Sequence, residues 1–304
     1  MCGHKSWPRG SAGVAALAFL VLVTRPVLSQ TRPGEIKHQI KKLKELFPAF
    51  ENRKNAMGPL ALVGDFVVVE DVPGEIDKVY REDSKVLGRS LLDTLALALG
   101  NKGYSFSSRT LVSVGDVVND KKQCRVLEHW EQREEDTPQF PLQSSPFYRD
   151  SVLCTSDSTR AAWHGLLSDV WSFRKTKKEP GHSLESAPSL RTAIGTDYAL
   201  VVVVVATKAT LGKALAGDAL SGLPLGKTLF GKKSAMKLSF DSWEKVRFPP
   251  SVDFDAYSGL GMKLAVIDFR NGEVLWSDGD HNRWGLLGVE ALHTLTRDMI
   301  KRMI

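Results

Sequence analysis

The residues with types and spacing suited to chemistry fall into a few groups. Gly222-Leu-Pro-Leu-Gly226-Lys227-Thr228 carries the glycines, lysine and hydroxyl of a phosphate-binding loop. That cradle needs four residues between its first glycine and the Gly-Lys pair, so that successive amides wrap the phosphate oxygens. Here three residues intervene, and Pro224 removes one amide, so nucleotide binding is not expected. Asp278-Gly279-Asp280-His281 offers carboxylate and imidazole ligands. Calcium loops recruit further oxygens at regular spacing, and zinc needs a third and fourth partner. The stretch therefore reads as a polar turn that caps the last helix through Asp280 or Asn282. His164, His182 and His293 stand near serines without a Gly-x-Ser-x-Gly elbow. Carboxylate pairs for glycoside chemistry need a geometry that spacing does not supply. No catalytic residue, cofactor-binding residue or metal ligand is assigned.

Redox chemistry rests on Cys124 and Cys154, because Cys2 lies in a segment expected to be removed. In an oxidising compartment the two could form a disulfide, worth about 3 kcal/mol for a loop of that size. The alternative is two free thiols, and their spacing decides nothing between them. Neither belongs to a close Cys/His pair of zinc-ligand spacing.

The segment expected to be removed is Met1 to about Ser29. Lys5 and Arg9 precede an uncharged run of 13 residues, Ser11 to Val23, followed by Val27-Leu28-Ser29 ahead of a cut before Gln30. This is the order of a secretory signal peptide. The run is short for a spanning helix, which takes about 20 apolar residues, so cleavage is favoured over an amino-terminal anchor. No lipobox is present, since Cys2 precedes the apolar run. Loss of Lys5, Arg9 and Arg25 lowers the 41 basic residues to 38 against 35 acidic ones. The basic clusters Lys37 to Lys44, Arg174 to Lys178 and Lys232-Lys233 are scattered, which suits solvated surface and not the concentrated face that nucleic acid requires.

Periodicity sets out the elements that would position any site. Residues 30–57 read as an amphipathic helix or linker, with Ile36, Ile40, Leu43 and Leu46-Phe47 at spacings of three and four. Residues 58–304 read as one α/β domain. Leu60 to Glu70 is a buried strand, followed by a polar loop from Asp71 to Glu82. Leu87, Leu91, Leu95 and Leu99 stripe a helix from Asp83, capped by Asp83 or Ser84, and Tyr104 to Val114 is a second strand. An irregular insertion covers about 115–185, with one helix from Thr159 to Phe173. On it Trp163, Leu167 and Trp171 share a face, either a contact surface for a partner or packing onto the sheet. After a short helix from Ser189 to Gly195, the five valines Val201 to Val205 demand a central strand covered on both faces. Met262 to Phe269 and Glu273 to Asp278 form a hairpin about a two-residue Asn271-Gly272 turn, and a helix from Arg283 to Met303 ends the chain. Helices between early strands and a late hairpin give a mixed β-sheet with flanking helices.

That order resembles the α/β fold shared by the amino-terminal domain of TolB, the curli-secretion-channel lipoproteins and the lipoprotein activators of penicillin-binding proteins. The likeness is carried by Leu95 to Tyr104, by Gly195-Thr196-Asp197-Tyr198 before an apolar strand, and by Val266 to Trp276. In that group these residues are structural, with Asn271, Gly272 and Trp276 shaping the hairpin. The missing lipobox and the long insertion depart from it. The resemblance implies an exported, periplasmic or envelope-associated protein without a cofactor that binds or helps assemble a protein partner, possible as a homo-oligomer. The competing readings are a secreted hydrolase with a loop-built site and a structural subunit of a secretion or surface complex.

Overall fold

Strands β1 (Leu60–Asp71) and β7 (Tyr198–Ala209) run side by side and parallel at the middle of the sheet, from Ala61 opposite Ala199 to Asp71 opposite Ala209. In this computed structural model, residues 33–53, 55–71, 76–118, 123–129, 142–176, 183–209, 257–282 and 289–303 are described. The putting-together of the sheet follows from the valines. Val201–Val204 are buried, and β7 has β1 on one side and β8 (Tyr257–Asp268) antiparallel on the other. A strand with apolar side chains on both faces is stable where helices cover both.

On one face lies α3 (Arg81–Gly100), with α6 (Val289–Arg302). Leu92 of α3 reaches the backbone of β1 at Gly64, and Thr296 of α6 meets Met262 of β8. Gly88 lets α3 approach closely: a Cβ there would stand 2.8 Å from Leu111 and 2.9 Å from Phe66. On the opposite face α4 (Asp157–Thr176) and α5 (Ala187–Ile194) pack Trp163, Leu166, Leu167 and Leu190 against Val63, Val201 and Ala265. Two further helices, α1 (Pro33–Leu46) and α2 (Pro48–Arg53), lie against the body, where the Phe50 and Trp276 rings meet in a tilted pair at 6.1 Å. No helix among the described residues is long and apolar enough to cross a membrane.

Several expectations change here. Trp163 and Leu167 are fully buried, and Trp171 packs against the same cluster, so this stripe is core and not a partner surface. The 71–82 loop contains a strand, β2 (Lys78–Tyr80), and the insertion adds β4 (Gln123–Leu127), β5 (Gln143–Ser144) and β6 (Tyr148–Arg149). Cys124 sits in β4 and Cys154 in the turn before α4, both buried, and no disulfide joins them. Ser84 does not cap α3. Its hydroxyl donates to Tyr80 O and accepts from Val68 N–H at 3.0 Å.

The hairpin of β8 and β9 (Glu273–Asn282) is longer than its sequence suggests. Its loop is the four residues between the closing pair Asp268 and Glu273, not a two-residue turn. Gly272 N–H donates to Asp268 O at 2.7 Å, and Asn271 Oδ1 accepts from Glu273 N–H at 3.0 Å. Gly272 has φ +75°, and a Cβ there would fall 2.3 Å from Leu184 O. Strained left-handed backbone alone costs about 1–3 kcal/mol, and the facing atom belongs to backbone that has little freedom to yield. Gly272→Ala is therefore expected to lower stability by at least about 2 kcal/mol, measured as a lower midpoint of urea unfolding. An unchanged midpoint would contradict this account of the turn.

Candidate functional site

The outer side of β1 is shared by two strands. β3 (Phe106–Val114) runs parallel to it as far as Asp65, opposite Ser113, and β2 takes over at Val69 and Glu70. A register shift at Gly64/Asp65 marks the fork. Backbone groups at such a fork lose their ladder partners and need others. Polar side chains supply them: Ser84 takes the Val68 amide, and Asp65 takes the chain as it leaves β3. Asp65 Oδ1 accepts from Ser113 Oγ at 2.8 Å and from Asp116 N–H at 3.1 Å, and Oδ2 accepts from Val117 N–H at 3.4 Å.

Next to it stands Asp116, like Asp65 only 1% exposed. His164 of α4 lies with Nδ1 2.7 Å from Asp116 Oδ1, while Arg149 of β6 brings Nε to 3.5 Å from Oδ2. The Arg149 Nε and Asp116 Oδ2 atoms are buried, and neither makes a hydrogen bond. Burial, and then the neighbouring Asp116 charge, push the Asp65 carboxyl up to about 6, against the opposing pull of Ser113 and the two amides. The His164 side chain remains 44% exposed, so the imidazole stands between buried Asp116 and solvent. The Asp116 carboxylate orients that imidazole through Nδ1. Cys154 is no nucleophile for it: burial pushes its thiol up to about 11, and the reactive form is the thiolate.

Spacing along the chain gives no pointer to this meeting of residues 65, 116, 149 and 164. One local signal exists. Asp65 is an acid inside the apolar run Leu60 to Glu70, and a charge in a buried strand must have partners.

The sequence-derived sites lie elsewhere. Asn271, Gly272 and Trp276 form the hairpin, whose Asp268 is pushed up by burial yet held below the ordinary carboxylate range by the Arg270 side chain and amide. Asp278 to Asn282 belong to β9 and not to a capping turn, since the ladder with β8 continues to Asn282 opposite Leu260. Asp278 instead accepts from Arg302 Nε at 2.5 Å. Among the described residues no three His, Cys, Asp or Glu side chains converge to hold a metal. Met1 to Ser29 and Gly222 to Thr228 fall outside the described residues.

A second feature adjoins the fork. β3 pairs with β6 at Ser113 and Val114, and Asp150 N–H donates to Val112 O at 2.7 Å. From Phe106 to Leu111, no strand among the described residues covers its outer edge. Beside that edge is an open groove of about 320 Å³, with Arg89 and Asp93 of α3, Arg109 and Leu111 of β3, and Asp150 at its end. No family model, curated protein or solved structure matches this chain.

Proposed function

We propose that this chain is an exported, envelope-associated binding protein of the TolB amino-terminal fold group, which takes an extended segment of a partner protein along the outer edge of β3. The supporting observation is the open edge Phe106–Leu111 beside its groove. An open edge presents a row of backbone donors and acceptors that another strand satisfies, and neighbouring side chains select the segment. The rim carries both charge signs, Arg89 and Arg109 with Asp93 and Asp150. That suits a polar extended segment better than an apolar helix.

Arg109→Glu tests this reading. The Arg109–Asp93 pair it breaks spans 3.4 Å with side chains 51% and 67% exposed, so folding should change by no more than about 1 kcal/mol. Recovery of the crosslinked partner from cells should fall by at least about tenfold, a loss of about 1.4 kcal/mol in binding. Undiminished recovery would remove the edge as the docking site.

A further inference from the structure

The segment Phe147 to Cys154 closes the carboxyl end of β3. Phe147 N–H donates to Val114 O at 2.9 Å, and Arg149 pairs with Ser113 in the ladder. Arg149 is also where this segment meets buried charge, reaching Asp116 without a hydrogen bond. Behind Asp116 lies Asp65, so among the described residues two carboxylates buried to 1% exposure face one permanent cation, Arg149. Among those residues a second positive charge would have to come from a doubly protonated His164. With both acids ionised and the imidazole neutral, the cluster carries one uncompensated negative charge out of water, which is costly.

Among the described residues the other charged groups nearby do not cancel it, and Lys85 of α3, over the Tyr148 ring, pairs with Glu82. Asp150 Oδ1 accepts the amides of Val152 and Leu153, and Arg160 turns to Cys154 O and Asp157. Cys154 stays a neutral thiol. Lys263 of β8 shares the cross-sheet row of Asp65 with Val203 between them. Its side chain extends the other way, over Gly279 of β9, where an added Cβ would stand 2.5 Å from Nζ.

We infer that Asp65, Asp116, Arg149 and His164 form a proton-operated latch that holds residues 147–154 over the end of β3 in mild acid and loosens above neutrality. One added proton on Asp65 balances the charge, and burial holds that carboxyl up to about 6. Loosening frees Val112 to Val114 and lengthens the open edge. That consequence for partner capture rests on the strand-edge reading, whereas the latch itself does not.

Hydrogen exchange on the full chain at about pH 5.5 and about pH 8, corrected for intrinsic rates, tests the latch without a partner. In the unaltered chain, peptides covering 147–154 should be at least about tenfold better protected in acid, the factor carried by one pH unit of proton linkage. Asp65→Asn removes the excess negative charge and should keep the segment protected at both values. His164→Gln, at a half-exposed position, leaves the Asp65 carboxyl in place and should keep the difference. Equal protection of the unaltered chain at both values, or the same change persisting in Asp65→Asn, would overturn the latch. Failure of Arg109→Glu to weaken capture would instead overturn the edge reading and leave the exchange result standing.

Discussion

Trp163→Ala is expected to cost about 3–5 kcal/mol of folding stability, the range for deleting a fully buried large aromatic. Trp163 is 0% exposed and is the centre of the packing between α4 and the sheet, with Val63, Val201 and Ala265 in the same cluster. Its indole N–H also donates to Leu153 O at 3.0 Å. Truncation opens a cavity and leaves that carbonyl without its donor, and an unsatisfied buried group adds about 1–3 kcal/mol unless the site relaxes. The loss reaches beyond α4, because Leu153 belongs to the turn that follows β6. Urea unfolding measures it directly. A loss below about 1 kcal/mol would mean that α4 does not supply the second face of the core.

The next largest effect is electrostatic. Asp65 has an ordinary value of 3.8 and a folded value of about 6, so the folded chain holds this proton more tightly. Through the window between those values the native state binds more protons than the unfolded state, and stability falls as pH rises. The contribution is fully present below about pH 4 and is lost as pH climbs through about 6, a change of about 3 kcal/mol. Other groups titrate over the same range, so the informative quantity is the difference between two chains. Asp65→Asn retains an oxygen to accept from Ser113 and the Asp116 amide but has no charge to bury. Relative to the unaltered chain it should gain about 3 kcal/mol between about pH 4 and about pH 7. Parallel stability profiles for the two chains would show that the Asp65 carboxyl is not perturbed as burial requires.

The elements legible in the sequence are those whose pattern serves a single purpose. Five successive valines have no reading other than a strand covered on both faces, and β7 lies between β1 and β8. Leucines at every fourth position, Leu87 to Leu99, mark the buried side of α3. The α/β class with a mixed sheet and flanking helices followed from that alternation. The short strands β2, β4, β5 and β6 were hidden because two to five residues carry too little periodicity to register. β2 and β6 lie along the longer β1 and β3, and β4 and β5 extend the sheet outward from β2. Asn271-Gly272 signalled the hairpin, but Asp268 O captures the Gly272 amide and widens the loop to four residues. The tryptophan stripe of α4 was ambiguous by spacing alone, since a face that packs and a face that binds have the same period.

The acid cluster was illegible for a different reason. Asp65 to His164 spans about a hundred positions, and the contact depends on the fork that ends β3 beside β1. Ser113 and Asp116 meet Asp65 because β3 stops there and its chain turns inward over the strand. A register shift decides this, and register is set by packing across the sheet. The open edge of β3 is likewise a property of the assembled sheet, although Ser107, Ser108 and Arg109 between apolar neighbours fit a half-exposed strand.

The sharpest test of strand capture is a photoactivatable side chain placed at Ser107 or Arg109, both exposed on β3, in the full chain expressed in its own cells. Ser189, exposed on α5, serves as the control position. Strand capture requires a discrete adduct from 107 and 109, with the attached peptide drawn from one extended stretch of one partner, and no such adduct from 189. No adduct from β3, or the same adduct from all three positions, would contradict it.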